Sequence, residues 1–160
     1  MAILSQMSKQ YGSVLVVDDI NTNILVIKGI LRPYEIRFDS AISGLEAIEK
    51  VKSGNLYDVI FMDYMMPELD GVETLKQLRC MGYDRPVVAF TSISIGKDID
   101  FFLENGFDDI IPKPVDIREI DVILGKFVYN TKNPDAIADV REHVAQKRYE
   151  SLKYNNLYRL

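Results

Sequence analysis

The chain alternates between two kinds of hydrophobic pattern. Five short, largely apolar runs indicate strands, and amphipathic stretches with apolar residues at helical spacing lie between and after them. The predicted strands are residues 13–17, 35–38, 59–62, 87–90 and 109–111. The third and fourth are almost wholly apolar, which is typical of strands that are buried on both faces of a sheet.

Polar residues and helix breakers mark the ends of the predicted helices. The first helical pattern ends at Pro33, and Gly106 follows the fourth as a favourable C-terminal residue. Ser43, Asp70 and Asp116 each precede a helical pattern and have a glutamate three residues later, which is the spacing of a capping box. The helices therefore fall in the gaps between the strands and after the last one.

Strand–helix alternation along the whole chain predicts an α/β fold with a parallel sheet and helices on both faces. Right-handed crossovers favour a flavodoxin-like, doubly wound sheet of five strands in the order 2-1-3-4-5. We divide the chain into an N-terminal extension (1–11), this domain (12–129) and a C-terminal helical tail (130–160). The tail is expected to dock on the domain or to form a homodimer, and disorder outside its native context is the less favoured alternative.

Composition and charge narrow the classes of function. The chain has 160 residues, of which 48% are hydrophobic and 27% charged, as in ordinary globular proteins. Its net charge of −5 argues against direct nucleic-acid binding. No apolar run approaches the ~20 residues that span a bilayer, so we expect no membrane insertion of this chain. Cys80 is the only cysteine, which excludes an internal disulfide and favours a cytoplasmic location.

The side chains that could take part in catalysis or bind a metal fall where the predicted strands end. Asp18 and Asp19 follow the first strand, and the others are Asp63, Thr91 and Lys113 after the third, fourth and fifth. The carboxyl ends of these strands surround the point where the winding reverses, so the five side chains are expected to converge on one pocket. Clustered carboxylates repel each other. A bound Mg²⁺ ion would offset this repulsion with its positive charge, and carboxylate oxygens are the ligands that it prefers.

The predicted pocket combines the groups that phosphoryl transfer requires. A metal ion, the Lys113 ammonium and the Thr91 hydroxyl can stabilise the equatorial oxygens of a phosphoryl group. Asp63 is central and leads into a loop that contains proline and glycine. It is therefore the candidate nucleophile, which would form an aspartyl phosphate.

Four motifs carry a resemblance to a known family. VLVVDD, FMDYMMPELDG, AFTS and DDIIPKP resemble the motifs of receiver domains of two-component signalling proteins. Their spacing agrees as well, with 44 residues from Asp19 to Asp63, 28 more to Thr91 and 22 more to Lys113. The similarity covers about residues 12–128. The segments DINTNILVIKGIL, MDYMMPELDG and ENGFDDIIPKP make it most like the C-terminal receiver of a hybrid sensor histidine kinase.

The resemblance implies a function and assigns roles. Asp63 is expected to be phosphorylated from a phosphohistidine on a sensor histidine kinase or a histidine phosphotransfer domain. The implied catalytic residues are Asp63, Thr91 and Lys113, and the implied Mg²⁺ ligands are Asp18, Asp19, Asp63 and the backbone carbonyl of Met65. The Lys113–Pro114 bond is expected to be cis. Such a domain turns over only its own phosphoryl group, and a parent kinase could tether it to a membrane.

Two positions depart from the usual pattern of the family. Ile110 stands three residues before the lysine, where Tyr or Phe is usual, so the switch that rotates an aromatic ring inward cannot operate in its usual form. The nearby aromatic residues are expected to pack the fourth helix instead and are Phe101, Phe102 and Phe107. Ser92 replaces a smaller residue, and together with Met65 it is expected to affect the lifetime of the phosphate.

Two other functions stay open at this point. A Mg²⁺-dependent phosphohydrolase of the haloacid dehalogenase type also forms an aspartyl phosphate, but it needs Asp-x-Asp after the first strand, where Ile20 takes the second acidic position. A receiver-like interaction module that is not phosphorylated usually lacks an acid, the acceptor or the lysine. This chain keeps all of them.

Overall fold

A computed structural model describes residues 12–92 and 98–129, in which strands and helices alternate. The strands are β1 (Ser13–Val17), β2 (Arg37–Ala41), β3 (Val59–Asp63), β4 (Val87–Thr91) and β5 (Asp109–Pro112). The helices are α1 (Asn21–Leu31), α2 (Gly44–Lys52), α3 (Gly71–Cys80), α4 (Asp98–Glu104) and α5 (Ile117–Leu124). A 3-10 turn (Arg32–Tyr34) follows α1, and a π-helical turn (Gly125–Tyr129) follows α5.

The five strands form one parallel sheet in the order β2-β1-β3-β4-β5, which confirms the predicted doubly wound topology. Alternate residues of β1 enter two separate cores. Val14 and Val16 pack with α1 and α5, whereas Leu15 and Val17 pack with α2, α3 and α4. Because helices cover both faces, β3 and β4 are buried at every position.

The predicted bounds of the second strand, 35–38, were wrong. β2 begins two residues later and ends three residues later than predicted. Glu35 has a φ of 54°, a left-handed conformation that ends the 3-10 turn instead of starting a strand. Pairing with β1 then runs from Arg37 to Ala41. The pattern misled because β2 is a polar edge strand, of which only Ala41 is fully buried.

The remaining boundaries lie closer to their predictions. β1 has the predicted bounds, β3, β4 and β5 each extend one residue further, and Gly106 has a φ of 97° after α4. Asp70 forms the full capping box with Glu73 at the start of α3. Ser43 accepts from the backbone N–H of Glu46 (3.1 Å), but the Glu46 carboxylate bonds elsewhere, so that box is only half formed.

Two predicted segments, residues 1–11 and 130–160, lie outside the described part of the chain. The division into extension, domain and tail therefore stays a prediction, as does docking or dimerisation of the tail. Among the described residues, no helix combines the length and apolar character that crossing a membrane requires.

Candidate functional site

The parallel strands bring the predicted site residues to one edge of the sheet. Asp63 and Thr91 are the last residues of β3 and β4. Asp18 follows the end of β1, and Lys113 follows the end of β5. The backbone N–H of Lys113 donates to the carbonyl of Thr91 (2.7 Å), which continues the β4–β5 pairing into the site.

Three carboxylates meet at this edge. One oxygen from each of Asp18, Asp19 and Asp63 can be chosen so that all three lie within 4.8 Å of one another. Asp18 and Asp63 are 1% and 7% exposed, whereas Asp19 is open to solvent. The cluster is therefore a cup with a buried floor and one accessible side, which suits a cation that keeps part of its water shell.

Lys113 places a positive charge against this cluster. Its ammonium donates to Asp18 Oδ2 (2.9 Å) and lies 3.3 Å from Asp63 Oδ1. The ammonium also lies 5.0 Å from the centre of the Phe90 ring, which helps to fix the direction of the side chain. The bond between Lys113 and Pro114 is cis, as predicted.

The surroundings of Asp63 change the pKa of its carboxyl group. Burial raises the pKa of Asp63 above its ordinary value, Lys113 opposes that change, and Asp18 and Asp19 add to it. The surroundings thus disfavour the negatively charged form of Asp63. A second cation beside Asp63 would favour that form.

Asn23 belongs to this edge and was missed by the sequence analysis. It is the third residue of α1, and its side-chain amide donates to Asp18 Oδ2 (3.1 Å). Asp18 Oδ1 accepts from the backbone N–H of Ile20 (2.8 Å). The only signal in the sequence was an asparagine in the first turn after the acidic pair, and that position is equally suited to a solvated polar residue.

The other predicted residues also lie at or next to this edge. Thr91 is 2% exposed, while Ser92 after it is exposed. The Met65 side chain is 69% exposed, two residues beyond Asp63. The contribution of the Met65 carbonyl to a metal site, and the effect of Met65 and Ser92 on a phosphate, stay predictions.

A glycine lets the loop after β3 fold tightly against the site. The backbone N–H of Gly71 donates to the carbonyl of Tyr64 (2.8 Å). A Cβ atom at Gly71 would overlap the carbonyl oxygen of Asp63 and would lie 3.1 Å from Tyr64 Cα. The start of α3 is therefore packed directly on the backbone of the candidate nucleophile.

Aromatic packing connects the same region to α4. The Tyr64 ring stands edge-on to Phe101 (5.9 Å between centroids) and to Phe102 (5.2 Å). Phe102 and Phe107 are buried, as expected for residues that pack α4, whereas Phe101 is 40% exposed. Ile110 packs at the border of the core that contains Phe102.

Comparison with known proteins identifies the family. Residues 14–124 match the family model of the response regulator receiver domain. The chain belongs to this family. Receiver domains are components of two-component and phosphorelay signalling systems, and the doubly wound sheet is their fold.

Two relatives of this receiver differ greatly in length. The two-component response regulator ORR41 of Oryza sativa subsp. japonica is 34% identical over 125 residues, which are 76% of this chain and 98% of that protein. Hybrid signal transduction histidine kinase L of Dictyostelium discoideum is 34% identical over 130 residues, which are 77% of this chain but 8% of the kinase. The receiver thus resembles both a short regulator and one part of a large kinase.

Two solved structures resemble the receiver. One is the receiver domain of the sensor histidine kinase PA1611 from Pseudomonas aeruginosa PAO1, with a magnesium ion in its active-site cleft (28% identity, TM-score 0.66, 73% of this chain and 97% of that one). The other is the receiver domain of Ssk1 from Saccharomyces cerevisiae, in complex with the histidine phosphotransfer protein Ypd1 (27% identity, TM-score 0.69, 77% and 92%).

Proposed function

We propose that this receiver accepts a phosphoryl group on Asp63 from a phosphohistidine. The observation that carries the proposal is the position of Lys113, whose ammonium lies within 3.3 Å of both Asp18 and Asp63 at the rim of the carboxylate cluster. In the transfer, a carboxylate oxygen of Asp63 bonds to phosphorus as the bond from phosphorus to the imidazole nitrogen breaks. The electron pair of that bond returns to the imidazole.

The residues of the cluster fit a magnesium ion. Hard oxygen donors, a partly open side and excess negative charge around Asp63 are what Mg²⁺ favours. Asp18, Asp19 and Asp63 would hold the ion, and we extend this set to the Met65 carbonyl. Bound there, Mg²⁺ would offset the negative charge that the carboxylates and the phosphoryl oxygens bring together.

The protein groups around Asp63 have separate tasks in this transfer. Lys113 shares its ammonium between two carboxylates and can turn to a phosphoryl oxygen without a large movement. Thr91 ends the strand next to Asp63 and would supply a hydroxyl donor.

The exposed apolar residues around the site suit a protein donor. They are Ile20, which directly follows the acidic pair, and Met65, two residues beyond Asp63, and they are 52% and 69% exposed. Such a patch beside the acceptor fits a histidine kinase or a histidine phosphotransfer domain, the kind of partner bound to the Ssk1 receiver. The match to hybrid kinase L supports an origin in a hybrid kinase, and such a donor would meet the receiver in the cytoplasm.

Phosphorylation by acetyl phosphate with Mg²⁺ tests the proposal. Intact-protein mass spectrometry should detect one added phosphoryl group in the wild type and none in Asp63→Asn. Asp84→Asn removes the same charge from an exposed turn before β4, at the opposite edge of the sheet, and should be labelled normally.

Each other outcome has a defined meaning. Labelling of Asp63→Asn would show that the acceptor is assigned wrongly. A folded wild type that is not labelled would favour an unphosphorylated interaction module. Sustained hydrolysis of an added phosphate ester would favour the phosphohydrolase, which the isoleucine at position 20 disfavours.

A further inference from the structure

The Asp18 carboxylate is held by three donors although it is 1% exposed. Its Oδ1 accepts from the backbone N–H of Ile20 (2.8 Å). Its Oδ2 accepts from the Lys113 ammonium (2.9 Å) and from the Asn23 amide (3.1 Å). A buried carboxylate needs its hydrogen bonds, so the loss of any one of these donors is expected to change the orientation of the Asp18 carboxylate.

Two of these donors come from the start of α1, one from its N-cap residue and one from its first turn. Ile20 precedes the helix, and Asn23 lies in its first turn, half-buried. Ile24 and Ile27 are 3% and 1% exposed and anchor α1 in the core, so the Asn23 amide reaches Asp18 from a rigid base. Asn21 begins the same turn, but its side chain is exposed.

We infer that Asn23 is a positioning residue of the cation site, an inference that rests on the proposed function. Its amide holds Asp18 towards Asp19 and Asp63 and limits the pull of Lys113 on the same oxygen. An amide is suited to this task because it donates a hydrogen bond without a positive charge that would repel Mg²⁺.

The arrangement also has a role during phosphorylation. Lys113 is shared between Asp18 and Asp63, and it leaves Asp18 when it turns to a phosphoryl oxygen on Asp63. Asp18 then keeps the Ile20 N–H on one oxygen and the Asn23 amide on the other. Asn23 therefore allows Lys113 to move without leaving a buried oxygen unsatisfied.

Calorimetric titration with Mg²⁺ tests this inference, since the chain has no tryptophan to report binding by fluorescence. Asn23→Ala should weaken Mg²⁺ binding by about tenfold, the effect typical of groups that orient metal ligands. Asn21→Ala removes the same amide from the same helical turn and should leave the dissociation constant within about twofold. Equal dissociation constants for the two variants would overturn the inference.

A second variant keeps the test valid if Asn23→Ala folds poorly. Asn23→Leu has nearly the same shape but no donor. The rise in melting temperature that Mg²⁺ produces should be smaller than in the wild type, because Asp18 is then held less firmly towards the metal. A rise equal to that of the wild type would contradict the positioning role.

The two levels of the hypothesis fail in different ways. If the wild type itself neither binds Mg²⁺ nor gains stability from it, the proposed metal site is wrong. If the wild type binds Mg²⁺ and both Asn23 variants match it, only the role of Asn23 is wrong. Labelling by acetyl phosphate at saturating Mg²⁺ should recover in Asn23→Ala, because the proposed defect lies in metal binding.

Discussion

Gly71 offers a direct test of how closely α3 packs on the candidate acceptor. In Gly71→Ala, the new Cβ would overlap the carbonyl oxygen of Asp63 and lie 3.1 Å from Tyr64 Cα and 3.2 Å from the carbonyl carbon of Asp63. These are backbone atoms, which cannot move aside by changing a rotamer. The start of α3 and the end of β3 must therefore separate.

The size of the effect follows from this overlap. Non-bonded heavy atoms rest about 3.5–4 Å apart, so a separation of roughly 1 Å is needed. Overpacking of this kind costs about 1–3 kcal/mol of stability. A displacement of about 1 Å at reacting groups can also cost on the order of 100-fold in rate, so phosphorylation of Asp63 should slow more than stability alone explains.

Urea unfolding followed by far-UV circular dichroism measures the stability, with Gly29→Ala as the matched control. Gly29 is exposed in the last turn of α1, and a Cβ there would meet nothing within 4 Å. Alanine should therefore stabilise that position by about 0.5–1 kcal/mol. The packing argument is refuted if Gly71→Ala unfolds at the wild-type midpoint or if both alanine variants shift it in the same direction.

Two further predictions concern a helix cap and an acid-sensitive network. Asp70→Ala should lower the free energy of unfolding by about 1 kcal/mol, because it removes the capping box of α3; an unchanged urea midpoint would contradict this. Burial acts to raise the pKa of Asp39, but hydrogen bonds from Tyr57 and Lys50 outweigh it and hold the pKa below its ordinary value. Ionised Asp39 therefore stabilises the fold at neutral pH, and this contribution is lost as the pH falls below ~4 through the folded-state pKa. Asp39→Asn should flatten that part of the stability–pH curve, and an equally steep acid loss would show that other groups control it.

The fold and the central site could be predicted because each depends on strong local patterns joined by a topological rule. The apolar runs of β3 and β4 are unambiguous in the sequence, since both are buried on each face. Once the strand order followed, Asp18, Asp63 and Lys113 had to meet, although Asp18 and Lys113 are 95 positions apart. Their contact needed no information beyond the order of the strands.

The features that escaped prediction depend on tertiary contacts. β2 was placed too early because its polar edge residues give a weak period-two pattern, and the left-handed Glu35 is not marked by a glycine. The π-helical turn after α5 continues the same apolar pattern as the helix before it. Asn23 could not be recognised because only the docking of α1 brings its amide to Asp18.

Lys113 is attached to β5, the strand at the border of the described sheet, which pairs only with β4. Fraying of β5 would withdraw the Lys113 ammonium and leave three mutually repelling acids at the carboxyl ends of β1 and β3. The attraction between these acids and Lys113 thus helps to keep the outermost strand paired with β4. A cation that enters the cluster would supply the same counter-charge, so we expect amide hydrogen exchange along β5 to change when a cation binds there.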